Sequence, residues 1–465
     1  MIGDATLHEI EYWPDTAARL HRLAPQAWFV LLDSCAASGR GGRYDIAAWE
    51  PLVTLQTRGE QTCIDDHGSG TREWSDADPF ALVAAHLGHE ARHPELPFSG
   101  GAIGLFGYDL GRRIEALPNR AAADIAVPDM AVGIYARCLV VDHERARAWY
   151  VERGANDAQI ALDLARLEVP RTLTPPAIST DFVVTSAVRP EIGFEDYAAA
   201  FARIERYIRD GDCYQVNYAQ RFSAEASGDG WDAYQRLRLL NGAPFAAFLR
   251  LPDGVVLSSS PERFLEVRGE LVETRPIKGT RGRSSDPVRD AALADALAHS
   301  SKDRAENVMI VDLLRNDIGK SCATGSVDVP HLFDIETYAR VHHLVSTVRG
   351  RLRAGVGALD VLRGCFPGGS ITGAPKLRAM EIIEELEPTR RNVYCGSLGY
   401  VSHDGQMDTN IAIRTLLYTG GRLYCWAGGG IVVDSVLAEE YQESLDKAAA
   451  MLNLFADAEI LHVGR

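Results

Sequence analysis

Between residues 194 and 209 the apolar positions fall at Tyr197, Phe201, Ile204 and Ile208. This i, i+4, i+7, i+11 spacing predicts an amphipathic helix, Phe194–Arg209, which Gly211 stops. The period then changes to two. Across Cys213–Phe222 one alternating set is Val216, Tyr218, Gln220 and Phe222, and the other is Gln215, Asn217, Ala219 and Arg221, as in a strand. Val255–Ser259, Phe264–Arg268 and Leu271–Arg275 also read as strands, the last two joined as a hairpin at Arg268-Gly269. Ser301–Arg315 and Lys376–Leu386 read as helices, the second opened by Pro375 and closed before Pro388. Val393–Ser402, Ile411–Tyr418 and Arg422–Ala427 read as further strands, and a last helix runs from about Val436 to Phe455. Short strands, often hairpin-linked and not regularly spaced by helices, predict an α+β fold with large antiparallel sheets.

A proline-rich stretch, residues 168–192, contains Pro170, Pro175, Pro176 and Pro190 and reads as a linker. It divides an N-terminal region, 1–175, from a second region, 190–455. The two need not be independent, because strands from both halves can share a sheet. The 465 residues carry 48 Lys plus Arg against 64 Asp plus Glu, a net charge of −16. That balance argues against a nucleic-acid partner and against an anionic membrane surface. An anionic small substrate remains compatible, since a site needs only a few local cations. The eight cysteines form no C-x-x-C pair, so neither a zinc ribbon nor a disulfide framework is expected, and a reducing, cytoplasmic setting is. The N-terminal residues are acidic and unlike a signal peptide. The apolar run Trp28–Leu32 ends at Asp33, far short of the ~20 residues of a membrane span.

Three motifs fail on inspection. His89-Glu90-Ala91-Arg92-His93 matches H-E-x-x-H, but Pro94 and Pro97 end the helix on which a zinc site depends. Gly319-Lys320-Ser321 resembles the end of a P-loop, yet Leu314 stands where its first glycine belongs. Gly428-Gly429-Gly430 lacks the third glycine of G-x-G-x-x-G because position 433 is Val; following a strand, it still fits a close backbone approach.

Other constellations are more coherent. Glu440, Glu443 and Lys447 share one face of the last helix, apart from an apolar stripe of Tyr441, Leu445, Ala448, Leu452 and Phe455. Such a face is ordinarily a solvated charged surface. A further acid, Glu306, lies on Ser301–Arg315, and glutamates from separate helices suit a hard cation such as Mg²⁺ that leaves positions open for a substrate carboxylate. The loop Pro367–Lys376, rich in glycine and opening onto a helix, reads either as an anion cradle or as a tight structural turn. Arg414, on the predicted strand Ile411–Tyr418, is a candidate carboxylate clamp. The predicted hairpin brings Ser260-Pro261-Glu262-Arg263 beside Arg275-Pro276-Ile277-Lys278-Gly279-Thr280, so an acid and an amine share one sheet end.

These segments resemble the chorismate-utilising enzymes, which include anthranilate, aminodeoxychorismate, isochorismate and salicylate synthases. The resemblance rests on Gly211–Asn217, Ser260–Arg263, Asp303–Asn307, Asp312–Asp317, His343–Ser346, Pro367–Lys376 and Glu440–Glu443, in family order, and on Leu96–Asp109 in the first region. It implies a sandwich of large antiparallel sheets with helices outside and an active site in the central cleft. Enzymes of the family that add water tend to carry lysine where this chain has Gln215; the glutamine resembles the ammonia-using branch. Anthranilate synthases usually read P-I-A-G-T at Pro276–Thr280, and Lys278 resembles instead the aminodeoxychorismate-forming branch that leads to p-aminobenzoate and folate.

The resemblance further implies chorismate as substrate and Mg²⁺ held by Glu306 and Glu443, with Glu440 contributing from farther out. Gln215, Ser370, Tyr394, Arg414, Gly428 and Lys447 form the implied substrate-binding set. Glu262 is the implied general acid, Lys278 the nucleophile at C2, and His343 lies near the leaving group. None of the eight cysteines sits on a G-x-C-x-G turn, so a separate glutaminase subunit is expected to supply ammonia. A weaker parallel, through Leu31–Ser34, Gly41–Tyr44 and Asn241–Phe245, implies a tryptophan pocket involving Ser34, Arg43, Tyr44, Pro244 and Phe245; a core sheet contact is the plainer reading. An anthranilate synthase and a non-catalytic homologue are the other readings, the first set against Lys278 and the second against the full set of acids, lysine and loop.

Overall fold

The computed structural model describes residues 4–35, 42–88, 95–168, 181–338, 341–453 and 455. The His89–His93 motif and residues 169–180 of the proline-rich seam lie outside the described residues. Among the described residues the strands form two sheets, of thirteen and twelve strands, and every ladder is antiparallel. The first runs Thr6–Ile10, Arg147–Glu152, Arg137–Asp142, Tyr44–Ala48, Val30–Asp33, Phe245–Leu251, Gly254–Ser260, Thr415–Thr419, Arg422–Ile431, Gln215–Ser227 and Val183–Val184. The second runs Ile277–Gly282, Val341–Arg351, Leu271–Thr274, Arg263–Arg268, Met407–Asn410, Ser397–Ser402, Gly101–Phe106, Met130–Tyr135, Val53–Arg58, Gln61–Asp66 and Thr71–Ser75. Each sheet therefore takes strands from both sides of the seam.

Side-chain alternation shows how the sheets pack. Val30, Ile46, Val140, Trp149 and Leu249 of the first sheet share one core with Leu55, Phe106, Val132 and Leu265 of the second. Their neighbours Leu31, Ala47, Leu139, Tyr150 and Phe248 point the other way, into a second core. That outer layer is closed by helix Gly230–Asn241 through Trp231 and Leu237, and by helix Leu437–Leu452 through Ala448 and Leu452. Helices Phe194–Arg209 and Lys376–Leu386 cover Val216 and Tyr218. The result is an α+β sandwich whose strands are buried on both faces for much of their length, which removes the apolar-polar contrast from residues 215–222.

Three sequence-based boundaries need correction. The strand expected over Val393–Ser402 starts at Ser397. Asn392 and Cys395 have φ of 50° and 64°, a left-handed backbone that no ladder accommodates. The strand expected over Ile411–Tyr418 starts only at Thr415: Thr415–Thr419 pairs in the first sheet, while the preceding strand, Met407–Asn410, pairs in the second. The chain crosses between them through residues 411–414, ending at Arg414 with φ 49°. Gly428-Gly429-Gly430 does not follow a strand but lies within Arg422–Ile431, paired with Ala219, Tyr218 and Asn217.

The glycines let this ladder lie close to its neighbours. A Cβ on Gly428 would stand 2.1 Å from the Tyr218 carbonyl oxygen, and one on Gly429 would stand 2.8 Å from Glu440 Oε2. Gly428→Ala is accordingly expected to spread the two strands and to lower stability by about 1–3 kcal/mol. Urea unfolding followed by circular dichroism measures this; an unchanged midpoint with an unchanged slope would show that the ladder has room.

Candidate active site

The chain crosses between the sheets twice near one point: from the first to the second at Pro261-Glu262, between Gly254–Ser260 and Arg263–Arg268, and back at residues 411–414. The Ile411 N–H donates to the Glu262 carbonyl at 3.0 Å, which ties the two crossings together. Beside them lies a cavity of about 430 Å³ whose wall includes Glu262, Lys278, Glu306, His343, Ser370, Tyr394, Arg414, Gly428, Glu440, Glu443 and Lys447.

Glu262 is buried, and Ser370 Oγ donates to its Oε1 at 2.9 Å. Burial pushes its carboxyl up to about 6, against the pull of the Lys278 ammonium and of the Ser370 hydrogen bond. Lys278 reaches the cavity from Ile277–Gly282, whose register with Val341–Arg351 shifts between Ile277 and Thr280. Gly279, at φ 82°, makes this local path possible: a Cβ there would meet Leu297 and Asp303 within 3 Å. Burial pushes the Lys278 ammonium below the ordinary lysine value, while Glu262 and then Glu306 pull it back. Its Nζ makes a long contact, 3.5 Å, to the Ser370 carbonyl. His343 Nδ1 lies 2.9 Å from Thr280 Oγ1. Burial, with the nearby Arg414 charge adding to it, pushes its imidazole down to about 4, so the ring is neutral near pH 7.

The acids come from two helices. Glu306 lies on Ser301–Gly319, and Glu440 and Glu443 lie on Leu437–Leu452. Burial raises both Glu306 and Glu440, and the Glu443 charge adds to each. Ser435 Oγ donates to Glu440 Oε1 at 2.7 Å, fixing one oxygen. Lys447 Nζ stands 2.5 Å from Glu443 Oε1 and donates to the Gly428 carbonyl at 2.8 Å. Among the described residues no three acids or imidazoles converge into a ready-made coordination shell. The donor chemistry, three carboxylates of which one, Glu443, is paired with Lys447, is that of an open site for a hard cation whose remaining positions go to water or ligand.

Arg414 is half-buried and forms no ion pair with the described residues, which leaves a guanidinium for an anion. Tyr394 stacks on Trp426, with centroids 6.3 Å apart and rings 6° from parallel. Trp426, Asn217 and Lys302 also line the cavity and escaped sequence reasoning. Trp426 shares its strand face with Tyr424 and Gly428, an alternation that offered a signal. Gln215 is buried but is not part of the wall; its amide packs over Gly430, where a Cβ would stand 2.7 Å from Nε2, and that nitrogen has no hydrogen-bond partner in the structure.

Arg43, Tyr44, Pro244 and Phe245 line a separate cavity of about 810 Å³ between the sheets. Arg43 is held there by Asp142, at 3.0 and 2.7 Å, with its guanidinium 4.7 Å over the Tyr44 ring. Ser34 is not on this wall; its hydroxyl donates to Asp45 Oδ1 at 2.6 Å, and Asp45 Oδ2 meets His143 Nε2 at 2.7 Å. No helix among the described residues is long and apolar enough to cross a membrane. All eight cysteines are free, and burial raises every one of their thiols.

Comparison with known proteins agrees with this geometry. Residues 29–453 match the family model described as chorismate binding enzyme. Aminodeoxychorismate synthase component 1 of Klebsiella aerogenes is 52% identical over 447 residues, covering 95% of this chain and 97% of that protein. Anthranilate synthase component 1 of Pseudomonas putida is 38% identical over 456 residues, 94% and 92% of the two chains. The crystal structure of anthranilate synthase component I from Streptococcus pneumoniae TIGR4 superposes with a TM-score of 0.79 at 33% identity, covering 89% of this chain and 93% of that one. The match of the family model over nearly the whole chain, with this identity to its members and this superposition, shows that the chain belongs to the chorismate-binding enzymes.

Proposed function

We propose that this chain converts chorismate and ammonia to 4-amino-4-deoxychorismate. The observation that carries the reading is the opposition of Glu262 and Lys278 in one cavity, the acid held partly protonated and the amine with its charged form disfavoured. A proton donor and a nucleophile need those two states near neutral pH. The 52% identity to a protein named aminodeoxychorismate synthase component 1, against 38% to one named anthranilate synthase component 1, supports the same choice.

In this mechanism the deprotonated Lys278 Nζ bonds to C2 of the ring, the ring double bonds shift, and the C4–oxygen bond breaks. Glu262 gives its proton to the departing oxygen, which leaves as water. Ammonia then bonds to C4, the double bonds shift back, and the C2–Nζ bond breaks to return the amine. Arg414, Tyr394 and Lys447 orient the dicarboxylate, and Ser370 fixes Glu262. His343, being neutral, takes part as a hydrogen-bonding group rather than as an acid. Glu306 and Glu443, with Glu440 behind them, would hold Mg²⁺, which supplies positive charge for one substrate carboxylate.

The ammonia comes from a separate glutaminase subunit. A glutaminase nucleophile requires an activated thiolate, and burial disfavours the thiolate at all eight cysteines. The designation component 1 of the related protein suits a two-subunit arrangement, and free thiols suit the cytoplasm.

Purified protein incubated with chorismate, Mg²⁺ and ammonium should give 4-amino-4-deoxychorismate by mass spectrometry; anthranilate as the product would overturn the assignment. Without ammonia, an acid quench should capture a ring adduct on the peptide containing Lys278. A near-normal rate for Lys278→Arg, together with no adduct, would reduce the lysine to a charge.

Glu262→Gln is expected to lower turnover by on the order of 10²–10⁴-fold with little change in chorismate binding. Because the catalytic form is the protonated one and burial raises this carboxyl to about 6, the Glu262-dependent limb of kcat/KM falls as pH rises through that region. A variant that kept turnover but lost affinity would move Glu262 into binding.

Glu306→Gln and Glu443→Gln should each abolish Mg²⁺-dependent turnover while leaving the circular dichroism spectrum intact. Full activity of either variant at limiting Mg²⁺ would remove that residue from the cation site.

A further inference from the structure

Beneath the cavity lies a buried ion pair that the mechanism above does not use. Arg391 is 1% exposed. Its Nε and Nη2 donate to the two carboxylate oxygens of Glu387 at 2.9 and 2.6 Å. The guanidinium has donors to spare, and they reach across the structure: Nη1 donates to the Ile371 carbonyl at 2.9 Å and Nη2 to the Asn217 carbonyl at 2.5 Å. Glu387 in turn accepts from the Ala219 N–H at 2.9 Å. Asn217 Nδ2 shares the Ile371 carbonyl at 2.8 Å, and the Asn217 N–H donates to the Thr372 carbonyl at 2.8 Å. The cation also stands 4.8 Å over the Tyr108 ring and 5.8 Å from that of Tyr394.

A salt bridge this deep is poorly explained by stability. Its desolvation cost offsets most of its attraction, and an apolar pair of equal volume would serve as well or better. What an apolar pair could not do is hold two carbonyl oxygens on different segments at once. Those segments matter because Ile371 follows Ser370, whose hydroxyl donates to Glu262 Oε1 and whose carbonyl is the acceptor nearest Lys278 Nζ. The planar, multiply donating fork of arginine suits the task, and lysine, a single point charge, does not.

We propose that the Arg391–Glu387 pair is a positioning device for the reaction: it locks the Ser370–Ile371 loop to strand Gln215–Ser227 and through Ser370 sets the hydrogen bond that Glu262 accepts. This rests on the reading of Glu262 as the proton donor. Arg391 and Glu387 are not part of the cavity wall and act on Glu262 through Ser370.

The groups facing Glu262 are the Lys278 ammonium, the Ser370 hydroxyl, the Ile277 N–H and the Cys395 thiol. Of these, Ser370 is the one that the clasp controls. Its hydrogen bond favours the carboxylate, so a loop that drifts away leaves the carboxyl protonated to higher pH.

Three variants of the full-length protein test this: Arg391→Lys, Ser370→Ala and the double variant, assayed with chorismate, Mg²⁺ and ammonium. Arg391→Lys is expected to lower kcat by about 10–100-fold, the scale of a small misplacement of a reacting group, with KM for chorismate changed less than about 3-fold. Its Glu262-dependent limb should move to higher pH, as in Ser370→Ala. Adding Arg391→Lys to Ser370→Ala should cost less than about 3-fold more, because both break one connection. Losses that multiply, or a scaled rate with an unmoved pH profile, would reduce the pair to a structural role. An infrared titration of the protonated carboxyl band, assigned by its loss in Glu262→Gln, reads the same shift without turnover. A wild type that forms no aminated product would overturn the functional reading, and the infrared midpoint would still decide the clasp. If Arg391→Lys does not fold, Glu387→Gln should show a smaller shift of the same sign, and no shift would overturn the proposal.

Discussion

Glu262 and Lys278 face each other in a confined cavity where neither charge is fully solvated, and that shared desolvation governs the chemistry of the cavity. Burial favours the acid form of the carboxyl and the neutral form of the amine. Their mutual attraction opposes both changes, so each group rests between its limits. Ser370 trims the balance on one side and Glu306 on the other. The surrounding architecture is organised around keeping these groups close and dry: a sheet crossing presents the acid, a bulged edge strand presents the amine, and a glycine-rich loop reaches over both.

The two crossings between sheets explain why the site lies where it does. A strand that stays in its sheet offers the cavity one side chain in two and no free backbone. A chain leaving one sheet for the other turns its backbone outward, and it is at such points that Glu262 and Arg414 stand. The cost of those turns is visible in Arg414, whose left-handed φ is a conformation that a side chain other than glycine adopts at a penalty. The Gly428–Gly430 ladder opens the other wall, letting the acids of the last helix approach the strand more closely than side chains there would allow.

Features set by neighbouring residues were legible in the sequence. The helix Phe194–Arg209 has the bounds its periodicity implies, and the hairpin through Gly269 joins Arg263–Arg268 to Leu271–Thr274. That hairpin is also why Glu262 and Lys278 could be brought together on paper. What depended on distant partners was not legible. The apolar run across residues 411–418 reads as one strand because nothing local records that residues 411–414 carry the chain from one sheet to the other. Gln215 fits its strand's alternation, yet that pattern cannot say that its amide packs over Gly430 instead of lining the cavity. Ser34 sits beside residues that do line the larger cavity, but its hydroxyl is taken by Asp45. Arg391 carried little signal, since beyond the nearby Glu387 its partners Ile371 and Asn217 contribute backbone oxygens, which any residue possesses.

The mixed parentage of the two sheets has a consequence for how the molecule is made. Gly101–Phe106 lies beside Ser397–Ser402, and Val30–Asp33 beside Phe245–Leu251, which itself adjoins Gly254–Ser260 and then Thr415–Thr419. During synthesis the early strands emerge long before the partners that complete their ladders. Topologies with such distant pairing fold slowly, and a growing chain presents unpaired edges to its neighbours in the meantime. The second sheet lacks a strand until the ribosome has passed residue 410 and the first until it has passed residue 431, so both keep open edges for nearly the whole of synthesis.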